Sequence, residues 1–238
     1  MPGRSLEEVH KAVMDRMAEG PQGWDARMAP WLAEGSFLQM LEANSQRYYL
    51  YLNALVAETK PKRVLELGTC EGGSALFMML ALPAGASLTT VDIEEREPWQ
   101  AKAFFGDTRL KRLVGNDLSL RVYGAHAPCD IDLLFIDTVH EYEHVAAELA
   151  LYLPLMAPGG VVVMDDISIS LGMKRLWEGL KLEKLDLGPT LHWSGFGIAR
   201  VGGVGSAHSP TSKKRVSCET FPVREEELVL SADVRKKQ

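Results

Sequence analysis

Apolar residues recur at intervals of three and four over residues 5–18 and again over 36–58, where "FLQMLEANSQRYYLYLNALVAE" keeps one face greasy, and this spacing predicts two amino-terminal helices. The period then changes. "KPKRVLELG" is a short continuous apolar run bounded by Pro61 and Gly68, the pattern of a strand buried on both faces. Runs of the same kind follow in "ASLTTVDI", "KRLVGND", "DIDLLFID" and "GGVVVMDD", with helical patterns between them near 74–82, 97–105 and 142–156. A further helix over 172–182 precedes two closing strands, "KLDL" and "HWSGFGIARV". Strand and helix in alternation predict an α/β chain whose seven strands form a mostly parallel sheet flanked by crossover helices. The expected organisation is an amino-terminal helical segment over 1–59, a sheet domain over 60–201, and a flexible Gly/Ser/Lys/Glu-rich tail over 202–238.

Composition narrows the function. A hydrophobic fraction of 46% with 24% charged residues is enough for one large core, and a net charge of -6 offers no clustered positive face for nucleic acid or an anionic membrane. Small-molecule chemistry is the expectation. The three cysteines, Cys70, Cys129 and Cys218, form no C-x-x-C pair, the first residues lack the apolar stretch of a signal peptide, and "SALFMMLALPAGA" is interrupted by Pro83. A cytoplasmic chain with reduced thiols and no membrane span is expected.

In an open α/β sheet, ligands bind beyond the carboxyl ends of the strands. "VLELGTCEGGS" places Glu66 and Gly68 at a strand end and opens a helix at Gly73 and Ser74, where backbone passes close to a ligand and helix N–H groups are free. The glycine spacing is not G-x-G-x-x-G, which argues against a dinucleotide pyrophosphate. Asp92 ends the next strand, 24 residues after Gly68, where a carboxylate can accept both hydroxyls of a ribose; an isolated aspartate there also reads as a helix cap. "HEYEH", residues 140–144, spells the H-E-x-x-H of zinc proteases, which requires both histidines on one helix. "DIDLLFID" makes the preceding residues a strand end and a loop, so the helix is expected to start near Tyr142, leaving His140 in the loop and His144 as a surface or helix-packing residue.

Together these stretches resemble the class I S-adenosylmethionine-dependent methyltransferases from about Lys60 to Val201. "FIDTVHEYEHVAAELALYLPLMAPGGVVVMDDI" resembles in particular the metal-dependent O-methyltransferases that act on antibiotic sugars, phenols and related natural products. The resemblance implies a Rossmann-like fold and S-adenosylmethionine as cofactor, with the glycine loop under its methionine part, Asp92 on the ribose, and Asp117 of "GNDLS" in the loop bordering the adenine. It implies metal carboxylates at Asp137, Asp165 and Asp166, an all-oxygen set suited to Mg²⁺ or Mn²⁺. Neighbouring strand residues point to opposite faces, so Asp165 and Asp166 can share a metal only if the chain turns there; Asp166 could instead cap the following segment. His140 matches the proton acceptor of related sugar O-methyltransferases, and an imidazole suits that task near neutral pH; a capping or solvent-facing histidine is the plainer reading. The acceptor would be a small-molecule hydroxyl. The helical segment with Trp24, Trp31, Tyr48, Tyr49 and Tyr51 is placed to cover it, unless these rings are simply core. A homo-oligomer is compatible with the sequence. A cofactor-binding protein without transfer activity and a nicotinamide-dependent oxidoreductase are the rival readings.

Overall fold

The computed structural model describes residues 4–23, 47–96 and 104–202. Helix α1, Leu6–Ala18, begins in a capping box: the Ser5 hydroxyl accepts from the Glu8 N–H at 3.1 Å and the Glu8 carboxylate accepts from the Ser5 N–H at 2.7 Å. Its buried face, Leu6, Val9 and Val13, packs on α2, Tyr48–Thr59, and Arg4 and Arg16 both close on Glu58 at 2.8 and 2.9 Å. Helix α2 ends at Lys60 in the left-handed conformation, just before Pro61, which turns the chain into the sheet.

The strands are β1, Arg63–Leu67; β2, Ser87–Asp92; β3, Leu110–Val114; β4, Ile131–Ile136; β5, Met156–Asp165; β6, Glu183–Asp186; and β7, Phe196–Arg200. Between them run α3, Gly73–Ala81; α4, Tyr142–Tyr152; α5, Leu171–Gly179; and the short α6, Gly188–Leu191. The sheet order is β3-β2-β1-β4-β5-β7-β6, parallel throughout except that β7 runs antiparallel to β5 and β6. This is the expected seven-stranded, mostly parallel Rossmann-like sheet. Alternate side chains of the central strands feed two cores. Val64, Leu88, Phe135 and Val163 point toward α1, α2 and α3, whereas Leu65, Val91, Leu134 and Val162 point toward α4 and α5.

Strand order reverses between β1 and β4, so the crevice for a ligand opens at their carboxyl ends. Several boundaries differ from the periodicity. Pro154 sits in a 3₁₀ turn over Leu153–Leu155, which ends the helix at Tyr152 and lets β5 start at Met156 rather than Gly159. The closing segment read as one strand over 192–201 is β7 alone, preceded by α6. The expected helical stretch before Arg47, most of that over 97–105, Trp24 and Trp31, and the tail from 203 onward lie outside the described residues. Among the described residues no helix is long and apolar enough to cross a membrane. Cys70 is a free, exposed thiol, while Cys129 is disulfide-bonded, which corrects the expectation that every thiol is reduced.

Candidate active site

At the end of β1 the chain passes so near β4 that only glycine fits. Gly68 has φ +89°, and a Cβ there would stand 1.8 Å from the Asp137 carbonyl oxygen, while the Asp137 N–H donates to the Leu67 carbonyl at 2.8 Å. The turn that follows is braced from beneath. The fully buried Glu66 carboxylate accepts hydrogen bonds from the Ser74 hydroxyl and, at 2.5 Å, from Thr90 of β2. Burial, only partly offset by those two donors, pushes its pKa up to about 8. Glu66 and Ser74 therefore shape the loop and the start of α3 from inside. Helix α3 opens at Gly73 with no side-chain cap on its first turn. Asp92 ends β2 with its carboxylate over this loop, accepting from the Cys70 N–H at 2.7 Å and from the Glu94 N–H at 3.1 Å.

The second group of polar residues stands at the ends of β4 and β5. Asp166 has φ +55°, so the chain turns out of the strand right after Asp165, and both carboxylates face one place. This meets the condition that strand alternation imposes on a shared site. His140 lies between Asp137 and Asp166, Nε2 at 3.3 Å from one and Nδ1 at 3.1 Å from the other. On the opposite side His192 Nδ1 is 3.0 Å from Asp165 and 3.6 Å from Asp166, and it also meets the Ser194 hydroxyl at 3.0 Å. Asp165 and Asp166 are buried, and Asp166 Oδ1 has no hydrogen-bond partner. Burial, with Asp137 nearby, raises the Asp165 pKa. Burial alone would lower the pKa of both histidines, but the surrounding aspartates outweigh it and raise them.

The ligand atoms of Asp165, Asp166 and His192 all lie within 4.8 Å of one another, a donor set that fits a divalent cation, with the orphaned Asp166 oxygen free for it. Asp137 stands beside this group, bonded to His140 and close enough to help raise the Asp165 pKa, and His192 adds a nitrogen donor next to the two adjacent aspartates. His192 has no distinctive signal in the sequence, because only the antiparallel return of β7 carries it to β5. Tyr48 packs on His192 with ring centroids 4.9 Å apart, and burial, helped by Asp137 and Asp165, raises the pKa of both Tyr48 and Tyr49. Among the described members of the amino-terminal aromatic set, these two reach the site. Tyr51 is core and is bonded to His10.

Helix α4 starts at Tyr142, so His140 stands in the loop and His144 in the first turn. The two rings have different partners. His144 Nε2 lies 3.2 Å from Asp117 and 3.4 Å from Glu148, far from any convergence with His140 on one ion, and the H-E-x-x-H geometry is not formed. A separate cavity of about 230 Å³, lined by Lys60, Pro61, Asp132 and Gly160 among others, opens at the amino ends of β1, β4 and β5, away from all these groups.

Residues 65–167 match the family model described as a methyltransferase domain. Among solved structures, a putative O-methyltransferase from Klebsiella pneumoniae shares 24% identity over 85% of this chain and 92% of its own, with a TM-score of 0.53. An O-methyltransferase from Bacillus cereus in complex with SAH is 18% identical over 81% of this chain and 99% of its own, at 0.55. TomG from Streptomyces achromogenes, an O-methyltransferase involved in tomaymycin synthesis and solved with SAM, is 18% identical over 84% of this chain and all 100% of its own, also at 0.55. The matched region holds the glycine turn, Asp92, His140 and the Asp165–Asp166 turn, and the chain shares the fold of these solved O-methyltransferases.

Proposed function

We propose that the chain moves a methyl group from S-adenosylmethionine to a hydroxyl of a small molecule, with a divalent cation, Mg²⁺ or Mn²⁺, held at the acidic group. The observation that carries this reading is the left-handed turn at Asp166, which sets two adjacent carboxylates and His140 beside the glycine loop, one oxygen still without a partner. A protein built only to hold the cofactor has no use for that second group.

A sulfonium methyl is already activated, so the chain must align the oxygen behind it and remove a proton. Asp92 and the Cys70 N–H fix the rim on which the ribose hydroxyls would sit. Asp165, Asp166 and His192 would hold the cation, which supplies polarisation of the acceptor oxygen and a lower hydroxyl pKa. His140 takes the proton at Nε2, whose contact with Asp137 is the longer of its two, while Nδ1 stays oriented by Asp166. The flanking aspartates favour the protonated ring that results.

The rim supports an acceptor with an apolar body. Val139, Tyr142, Ile169, Leu171 and Trp193 are exposed apolar side chains on the loops at this edge, Leu171 at 84% and Trp193 at 76%, and they fit a phenol or a glycoside with an apolar body better than a free sugar. Purified protein incubated with S-adenosylmethionine, Mg²⁺ and a panel of phenols and glycosides should give a product heavier by one methylene on a hydroxyl, read by mass spectrometry. Tight cofactor binding with no methylated product across the panel would overturn the proposal.

A further inference from the structure

The chain between β3 and β4 has little regular structure to hold it, only one 3₁₀ turn over Leu120–Tyr123. What fixes it is a polar stripe on α4. His144, Glu148 and Tyr152 stand four residues apart, on one face of the helix. His144 reaches the Asp117 carboxylate at 3.2 Å, and the Tyr152 hydroxyl donates to the Asp117 carbonyl at 2.5 Å and meets the Tyr123 hydroxyl at 2.9 Å. Glu148, fully buried, accepts from the Thr138 hydroxyl at 2.8 Å, which ties the stripe to the loop carrying His140.

The charges close on themselves. Burial raises Glu148 to about 7, and its Oε2, buried without a partner in the ionised form, is the atom that a shared proton would join to Asp117. Hydrogen bonds that the His144 ring donates to Asp117 and Glu148 raise its pKa to about 10 and hold it protonated. Burial would raise Asp117, but His144 and Glu148 more than offset it and keep the carboxyl below its ordinary value. The Asp117 carboxylate is therefore committed to α4.

We propose that Asp117, His144 and Glu148 form an anchor that positions the adenine-bordering loop, so that Asp117 acts as the loop's tether rather than as a direct ligand and His144 is a positioning residue for the cofactor. This rests on the reading that the cofactor's adenine lies against residues 116–118. The second histidine of "HEYEH" then has a task of its own: one end of α4 sets the proton acceptor's loop and its flank sets the cofactor's.

The test is calorimetry of S-adenosylhomocysteine with the full chain, beside steady-state kinetics. His144→Ala should raise Kd about tenfold, as expected when a charged hydrogen bond that orders a binding loop is lost, and raise KM for the cofactor in parallel. Turnover at saturating cofactor should fall less than about twofold, a split that general loss of folding would not produce. Glu148→Ala should raise Kd as much as His144→Ala does, the double variant should bind no worse than either, and Glu148→Gln, the shape of the protonated acid, should keep near wild-type affinity. Unchanged Kd in His144→Ala, with binding lost in Asp92→Ala, would overturn the anchor and leave the cofactor reading standing. Unchanged Kd in both would overturn the cofactor reading and the anchor with it. A tenfold loss caused by EDTA alone, to which His144→Ala adds nothing, would overturn the anchor in favour of a cation held by the same three residues.

Discussion

The two halves of the site share one edge of the sheet but are finished to different degrees. On the β1–β2 side the polar side chains are satisfied within the protein: Glu66 by Ser74 and Thr90, Asp92 by the N–H groups of Cys70 and Glu94. On the β4–β5 side two histidines divide three aspartates between them, and Asp166 Oδ1 is buried with nothing bonded to it. A buried polar atom without a partner is costly, so the second half calls for a further group, whereas the first presents a finished backbone surface. On the proposed function, the first half is a mould for the cofactor and the second a set of ligands on the acceptor side.

The largest effect should come from breaking the seam between the halves. Gly68→Ala forces a methyl into the Asp137 carbonyl at a backbone angle that alanine avoids, and it should destabilise the fold by more than about 4 kcal/mol or prevent its recovery, read by chemical denaturation. A soluble variant of unchanged stability would mean that β1 and β4 do not approach as described. Next, His140→Ala should slow methyl transfer by roughly 10³-fold while leaving S-adenosylhomocysteine affinity nearly unchanged, which assigns it to the acceptor half alone. Equal losses in both would put it across the two. Asp92→Ala should act the other way, weakening cofactor binding by a few kcal/mol at most and sparing metal binding; calorimetry with each ligand separates these.

The smallest effect concerns pH. Burial keeps the proton on Glu66 in the fold up to about pH 8, far above the ordinary carboxylate range. A raised pKa in the folded state means that stability is fully present at low pH, is lost as pH climbs from about 4.5, and stops falling above about 8. Glu66→Gln cannot ionise, so its stability relative to wild type should improve steadily between pH 5 and 8 and then level off. A flat difference across that range would show that Glu66 is ionised in the folded protein.

Much of the cofactor half is legible in the sequence, because short apolar runs ending in Glu66-Leu67-Gly68 and in Asp92 mark strand ends directly. The start of α4 at Tyr142 follows in the same way from the strand before it, and with it the fate of "HEYEH". The acceptor half is harder to read. Asp165 and Asp166 can be named, but whether they converge depends on one left-handed residue, and aspartate adopts that conformation only when its surroundings favour it. His192 depends on which strand runs antiparallel, which local pattern does not encode. His144 reads as a surface or packing residue, yet the repeat of His, Glu and Tyr at 144, 148 and 152 places three polar side chains on one helical face, a signal that single-residue reading passes over.

The central claim is that the acidic half is completed by a divalent cation. Titration of Mn²⁺ into metal-free protein, followed by electron paramagnetic resonance, tests it without requiring turnover. Binding should be stoichiometric with the chain, should be lost in Asp166→Asn, and should survive in Asp92→Ala, while Asp166→Asn still binds S-adenosylhomocysteine. No stoichiometric Mn²⁺ or Mg²⁺ binding, together with full methyl transfer by rigorously metal-free protein, would contradict the account and leave Asp165, Asp166 and His192 as a structural hydrogen-bonded group.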